Sequence, residues 1–200
     1  MKEIYISEQA FLGVILATAE VYRRECYGLL FGYSLPGKVI VEGAIAYQTA
    51  ERKFSEVSLF ERQNRVIQEI IARFPNYEYL GEFHSHSDFR GREGEAGMTD
   101  DDVADMREGE IALVVAINPR RRRVRWATRR DGTLSGTLGH YGFRIGGYHV
   151  CQSAPRLRSL RGKRQDRRRR PRPRYFRARV CCPYAVGLLN GRERQPAGAM

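Results

Sequence analysis

His84-Ser85-His86 sets two imidazoles two positions apart. On an extended segment, residues i and i+2 point to the same side, so one cation can take both rings. A run of acids follows, Thr99-Asp100-Asp101-Asp102, and another acid stands far upstream in Glu25-Cys26-Tyr27-Gly28. Catalytic zinc commonly takes three nitrogen or oxygen ligands from the protein and keeps a fourth position for water, which it acidifies toward neutrality. The chemistry that suits these residues is metal-assisted hydrolysis, with His84, His86 and Asp102 as ligands and Glu25 available to move a proton. Asp102 is preferred because it opens an apparent helix over 102–106 after a glycine-rich loop. Asp100 and Asp101 are rivals in a shifted register, and Asp88 is a rival beside the histidines.

Each of these residues also has a plainer reading. Thr99-x-x-Asp102 has the spacing of a capping box, in which the threonine hydroxyl and the acid satisfy the first amides of a helix. Glu25 reads equally as an exposed acid closing a helix beside Arg23 and Arg24. Other hydrolytic and zinc patterns are absent: there is no His-Glu-x-x-His, no His-x-Glu with Pro-Cys-x-x-Cys, and no Gly-x-Ser-x-Gly elbow. Cys26 lies within an apolar run and reads as a small buried residue.

The order Glu25-x-x-Gly28-Leu29-Leu30-x-Gly32, then His84-x-His86, then Thr99-x-x-Asp102 resembles the JAMM (MPN-plus) zinc metallopeptidase family over roughly residues 1–145. The resemblance implies an MPN/JAB-like, cytidine-deaminase-like domain holding one zinc ion on His84, His86 and Asp102. It implies that Glu25 is the general base and proton shuttle, and that Thr99 takes the place of the family's serine beside the oxyanion. It also implies a protein substrate cut at a peptide or isopeptide bond, at the C-terminus of a ubiquitin-like or sulfur-carrier-like partner. The chain departs from the family pattern in Thr99, in Ser87 where proline is frequent, and in a longer loop from His86 to Thr99. An inactive scaffold of the same fold, with Asp102 drawn off the metal by that loop, is the alternative.

The elements that must position these residues alternate between strand and helix periods, which suits an α/β fold: a mixed β-sheet flanked by helices. Residues 3–6 read as a strand. Ser7 caps a helix with its apolar stripe on Phe11, Leu12, Ile15, Leu16 and Ala19. Residues 27–33 and 38–47 read as a hairpin through Ser34-Leu35-Pro36-Gly37. Residues 60–74 read as a second helix burying Val66, Ile67, Ile70 and Ile71. The histidine strand enters through 77–83, with Tyr77, Tyr79, Gly81 and Phe83 alternating toward one face. Residues 110–118 form an apolar strand with which 124–128 pairs across an arginine-rich turn. The polar, glycine-rich stretch 87–98 has no period and reads as a mobile insertion or a flap over the substrate.

Charge divides the chain. Residues 151–200 carry fifteen of the thirty-five Lys and Arg with only two acids, which leaves twenty basic and twenty-one acidic residues before them. The expected organisation is a catalytic domain over 1–148 and an arginine-rich, disordered tail over 149–200, dispensable for catalysis. The run Arg167-Arg168-Arg169-Arg170-Pro171-Arg172-Pro173-Arg174 is self-repelling and has little to bury. A solvated tail is the first reading; phosphate contact with nucleic acid is an accessory one. The cysteines at 26, 151, 181 and 182 make no disulfide framework, and no apolar run is long enough for a membrane helix. A cytoplasmic protein with no membrane partner is the expectation.

Overall fold

The computed structural model describes residues 2–47, 51–52, 57–58, 61–88, 91–103, 106–152 and 174–188. In chain order the elements are β1 (Glu3–Ile6), α1 (Glu8–Glu20), β2 (Tyr27–Leu35), β3 (Lys38–Ala46), β4 (Glu51–Arg52), β5 (Val57–Ser58), α2 (Glu61–Ile71) and β6 (Glu78–Ser87). They continue as α3 (Asp100–Val103), β7 (Ile111–Pro119), β8 (Ala127–Thr128), β9 (Leu134–Leu138), β10 (Tyr141–Gln152), β11 (Arg174–Cys181) and α4 (Pro183–Gly187).

The strands close into a barrel, which corrects the expected α/β sheet flanked by helices. Seven strands form the ring in the order β11, β1, β3, β2, β6, β7, β10, and β10 pairs back to β11. Closure depends on the length of β10. One edge pairs with β7 over Tyr141–His149, while the other is shared between β9 over 141–145 and β11 over 147–152. Closing the ring satisfies edge amides that an open sheet would have to cover. Most pairings are antiparallel; β1 with β3, β1 with β11, and β6 with β7 are parallel.

Inward residues of the ring, among them Ile4, Val39, Leu30, Phe83, Leu113, Val115, Ile145 and Val180, form one apolar cluster. Helix α1 packs into the same cluster. Ser7 caps it as expected, its Oγ accepting the Ala10 amide at 3.2 Å. Its buried stripe runs through Ala10, Phe11, Val14, Ile15, Ala17 and Thr18, whereas Leu16 is exposed. Phe11 meets Trp126 edge to face with centroids 5.0 Å apart. The second helix is less embedded than its pattern implies. Ile71 is buried and Ile67 packs beside Tyr27, Leu29 and Tyr47, but Val66 and Ile70 face outward.

The boundary between domain and tail also needs correction. Arg174–Cys181 is a ring strand, and Ala178, Val180, Cys182 and Ala185 are buried in the central cluster. Residues 174–188 therefore belong to the folded domain. The arginine run over 167–173 lies outside the described residues. Residues 127–128 pair with β9 and not with β7, whose free side is taken by β10. No helix among the described residues is long and apolar enough to cross a membrane.

Candidate metal centre

The histidine strand β6 carries a bulge that decides which residues face out. Leu30 pairs with Gly81 and Phe31 with Tyr79, so Leu80 is an extra residue on β6. Beyond it, Phe83 and Ser85 point into the barrel, fully buried, while Glu82, His84 and His86 share the outer face. The expected single face through Tyr77, Tyr79, Gly81 and Phe83 is broken at that bulge.

Ser85 fixes the neighbouring strand. Its Oγ accepts the Cys26 amide at 2.8 Å and its own amide donates to the Cys26 carbonyl at 3.0 Å, so the two strands are stitched at their site ends. Cys26 is turned inward and Tyr27 is paired to His84, and Glu25 stands two residues ahead of β2, at the end of that strand nearest the histidines. Gly28 belongs to this close packing, since a Cβ there would meet the Phe83 ring at 2.2 Å and the Ile45 carbonyl at 2.4 Å.

Asp102 arrives from the other side. Thr99 is the N-cap of α3: its amide donates to Asp102 Oδ2 at 2.6 Å, and its Oγ1 accepts the Asp102 amide at 3.3 Å. This is the reciprocal capping box of the plainer reading, and it holds the aspartate rather than competing with it. The helix is seated by Val103 and Met106, which pack with Met98, Ala112, Val114, Tyr148 and Val150 on the outside of the barrel.

One donor atom each from His84, His86 and Asp102 lie within 4.8 Å of one another. His84 Nε2 is buried and has no hydrogen-bond partner among the described residues. Asp102 Oδ2 stands 3.7 Å from it, beyond hydrogen-bond range. Leaving a buried polar nitrogen unpaired costs about 1–3 kcal/mol, and a cation is one way to satisfy it. His86 Nδ1 lies 2.8 Å from the Glu95 carbonyl. A carbonyl only accepts, so Nδ1 carries the proton and Nε2 keeps the lone pair, as metal-ligating histidines require. A tetrahedral zinc shell with bonds of about 2.0–2.2 Å has edges of about 3.3–3.6 Å, so donors spread over as much as 4.8 Å would have to close by about 1.2–1.5 Å to hold it.

Electrostatics favours a cation in this place. Burial pushes the His84 pKa down, but the carboxylates of Asp102, Glu82 and Glu25 outweigh it and the net shift is upward. His86 is shifted down by burial and by His84, which keeps it neutral. Burial raises Asp102, yet His84 and the Thr99 hydrogen bonds prevail and hold it at about 2. Glu25 contributes the smallest of the upward effects on His84.

The rivals and the omissions are equally informative. Asp88 accepts a hydrogen bond from the Tyr22 hydroxyl at 2.6 Å, away from the cluster. The side chains of Asp100 and Asp101 lie outside the described residues. Sequence reasoning passed over Glu82, although Glu82-x-His84-x-His86 continues the same alternation. Burial pushes its carboxyl up to about 7 against the lowering effect of the Tyr27 hydroxyl that donates to it.

The stretch expected to be mobile is pinned over 93–98. Asn118 bonds both the amide and the carbonyl of Gly94, Tyr148 donates to the Ala96 carbonyl at 2.7 Å, and Tyr175 donates to the Met98 carbonyl at 3.0 Å. These partners come from β7, β10 and β11, too far along the chain for a local pattern to reveal.

No family model and no curated protein matches the chain. Among solved structures, protein DSY2949 from Desulfitobacterium hafniense, determined in solution, is similar with a TM-score of 0.53 over 90% of this chain and 92% of that one. At 12% identity the likeness is one of fold alone.

Proposed function

We propose that this chain is a zinc-dependent peptidase or isopeptidase of the kind the JAMM resemblance implies. The observation that carries the reading is the convergence of His84, His86 and Asp102, with a buried His84 nitrogen left unbonded. Zinc held by these residues would supply an acidified water and polarise the scissile carbonyl. Glu25 takes the proton from the attacking water and returns it to the departing amine. Thr99, its Oγ1 accepting from Asp102, retains its own O–H to donate toward the oxyanion. His86 is held in its tautomer by Glu95, and Asp102 in its rotamer by the Thr99 amide.

An inactive scaffold would require the long loop to have carried Asp102 away, and its position 3.7 Å from His84 favours the hydrolytic reading. The substrate is assigned by resemblance as the C-terminus of a ubiquitin-like or sulfur-carrier-like protein. Cys26, Cys151, Cys181 and Cys182 form no disulfide among the described residues, which fits a reducing compartment, and we place the protein in the cytoplasm.

The test uses a fluorogenic amide fused to the C-terminus of a ubiquitin-like protein and of a sulfur-carrier protein. Zinc-loaded wild type is expected to release the fluorophore from one of them and Glu25→Gln, at equal zinc content, to release it about 10²–10⁴ times more slowly. Equal release by both proteins overturns the role of Glu25. No release by zinc-loaded wild type from either fusion overturns the substrate assignment.

A further inference from the structure

A groove of about 720 Å³ runs along the outer face of β7, β10 and β9 beside the metal cluster. Its floor is set by sheet register: Ala116 lies beside Arg144 and then Ser135, and Asn118 beside Gly142 and then Thr137. Apart from Arg144, these side chains are small, and the Arg120 side chain lies across the floor at Gly142, where a Cβ would meet its Cγ at 2.5 Å. One wall is the pinned segment 93–97. The near end meets the cluster, because Ala116 is the register partner of His86 and the Glu95 carbonyl bonds the His86 ring.

The charge of this groove is net positive, although Asp131 stands beside it, 3.7 Å from Arg177. Arg120, Arg129, Arg144 and Arg177 line it against Glu93 and Glu95. The adjoining segment 120–130 exposes seven arginines with no acid among them. Carboxylates already bind guanidinium groups here. Glu93 takes Arg120 in a two-point fork at 2.6 and 2.9 Å, and Asp131 bonds Arg144. The lining offers no exposed aromatic face on which a base would stack, since Phe143 is 4% exposed.

We propose that this groove binds an extended acidic stretch of polypeptide, with its carboxylates on Arg129 and Arg177, and leads that chain toward the His84, His86 and Asp102 cluster. The direction of travel rests on the hydrolytic reading; the binding does not.

The experiment titrates a fluorescein-labelled hexaglutamate peptide into the full-length protein and follows anisotropy. Loss of one charged contact is expected to weaken binding about tenfold, so Arg129→Gln and Arg177→Gln each show that loss. The charge-matched Arg168→Gln, in the arginine run, stays within about twofold of wild type, as a merely screened charge would. Amide resonances of Gly136 and Gly142 shift on titration. Equal weakening by Arg168→Gln, or tighter binding of a six-nucleotide thymidine strand with the same dependence on Arg129, overturns the proposal. Glu25→Gln should bind hexaglutamate like wild type, so a failure of hydrolysis leaves this test standing.

Discussion

Glu25, Thr99 and the three candidate ligands come together for separate local reasons, and each can be removed separately. On the hydrolytic reading, Glu25→Gln retains zinc and loses about 10²–10⁴ in turnover, the usual worth of general acid–base help; steady-state rates at matched zinc content check it. Thr99 has two duties that differ in chemistry. Thr99→Val removes the hydroxyl that accepts the Asp102 amide but keeps the backbone N–H on Asp102 Oδ2, so the cap is loosened and zinc affinity should fall about 10-fold, the low end for groups that orient a ligand. Thr99→Ser keeps the hydroxyl and should stay near wild type. Competition with a chromophoric chelator reads both. Of these residues, His84 and His86 follow from strand alternation, which is local, whereas Asp102 is preferred to Asp100, Asp101 and Asp88 through its place at a helix start and the family resemblance. Ser85 and Glu82 could not be picked out, since their roles depend on Cys26 and Tyr27 across the sheet.

At the scale of elements, the hairpin through Pro36-Gly37 and the Ser7 cap follow from residues within a few positions of one another and appear where the pattern puts them. The faces of β6 do not, because the bulge at Leu80 is set by pairing with β2. The segment 93–98 is the sharpest case: its glycines signal a loop, yet Gly94 is required by packing. A Cβ at 94 would lie 2.3 Å from the His86 carbonyl. Gly94→Ala is therefore expected to cost about 1–3 kcal/mol, as overpacking does, and to weaken zinc binding by shifting the His86 end of β6. Denaturant unfolding gives the first quantity and the chelator competition the second. Stability lost with zinc affinity unchanged would separate the loop from the site.

For the whole molecule, closure of the barrel was hidden by composition. Arg174-Tyr175-Phe176-Arg177-Ala178-Arg179-Val180 reads as part of a basic tail, but its alternate residues Ala178 and Val180 are fully buried between β1 and β10. Truncation after Val150 should accordingly abolish cooperative unfolding in circular dichroism; a cooperative transition in the shortened protein would contradict the closed ring. Asp131 ties the same seam. It accepts from the Thr133 amide and hydroxyl, bonds Arg144, and lies 3.7 Å from Arg177 of β11. Burial raises its pKa, but these partners prevail and hold it at about 2. Its folded value lies below the unfolded value of about 3.9, so the stability it lends is present above that pH and is lost as pH falls through about 2. Asp131→Asn should flatten the dependence of unfolding free energy on pH between about 4 and 2; an unchanged slope would remove Asp131 from the closure. On the hydrolytic reading, the molecule holds one zinc ion on His84, His86 and Asp102. Zinc content per chain, measured on purified wild type, His86→Ala and Asp102→Ala, tests it most directly. One ion in wild type and almost none in either variant is the predicted result; a wild type without zinc, or an Asp102→Ala protein that keeps it, would contradict the assignment.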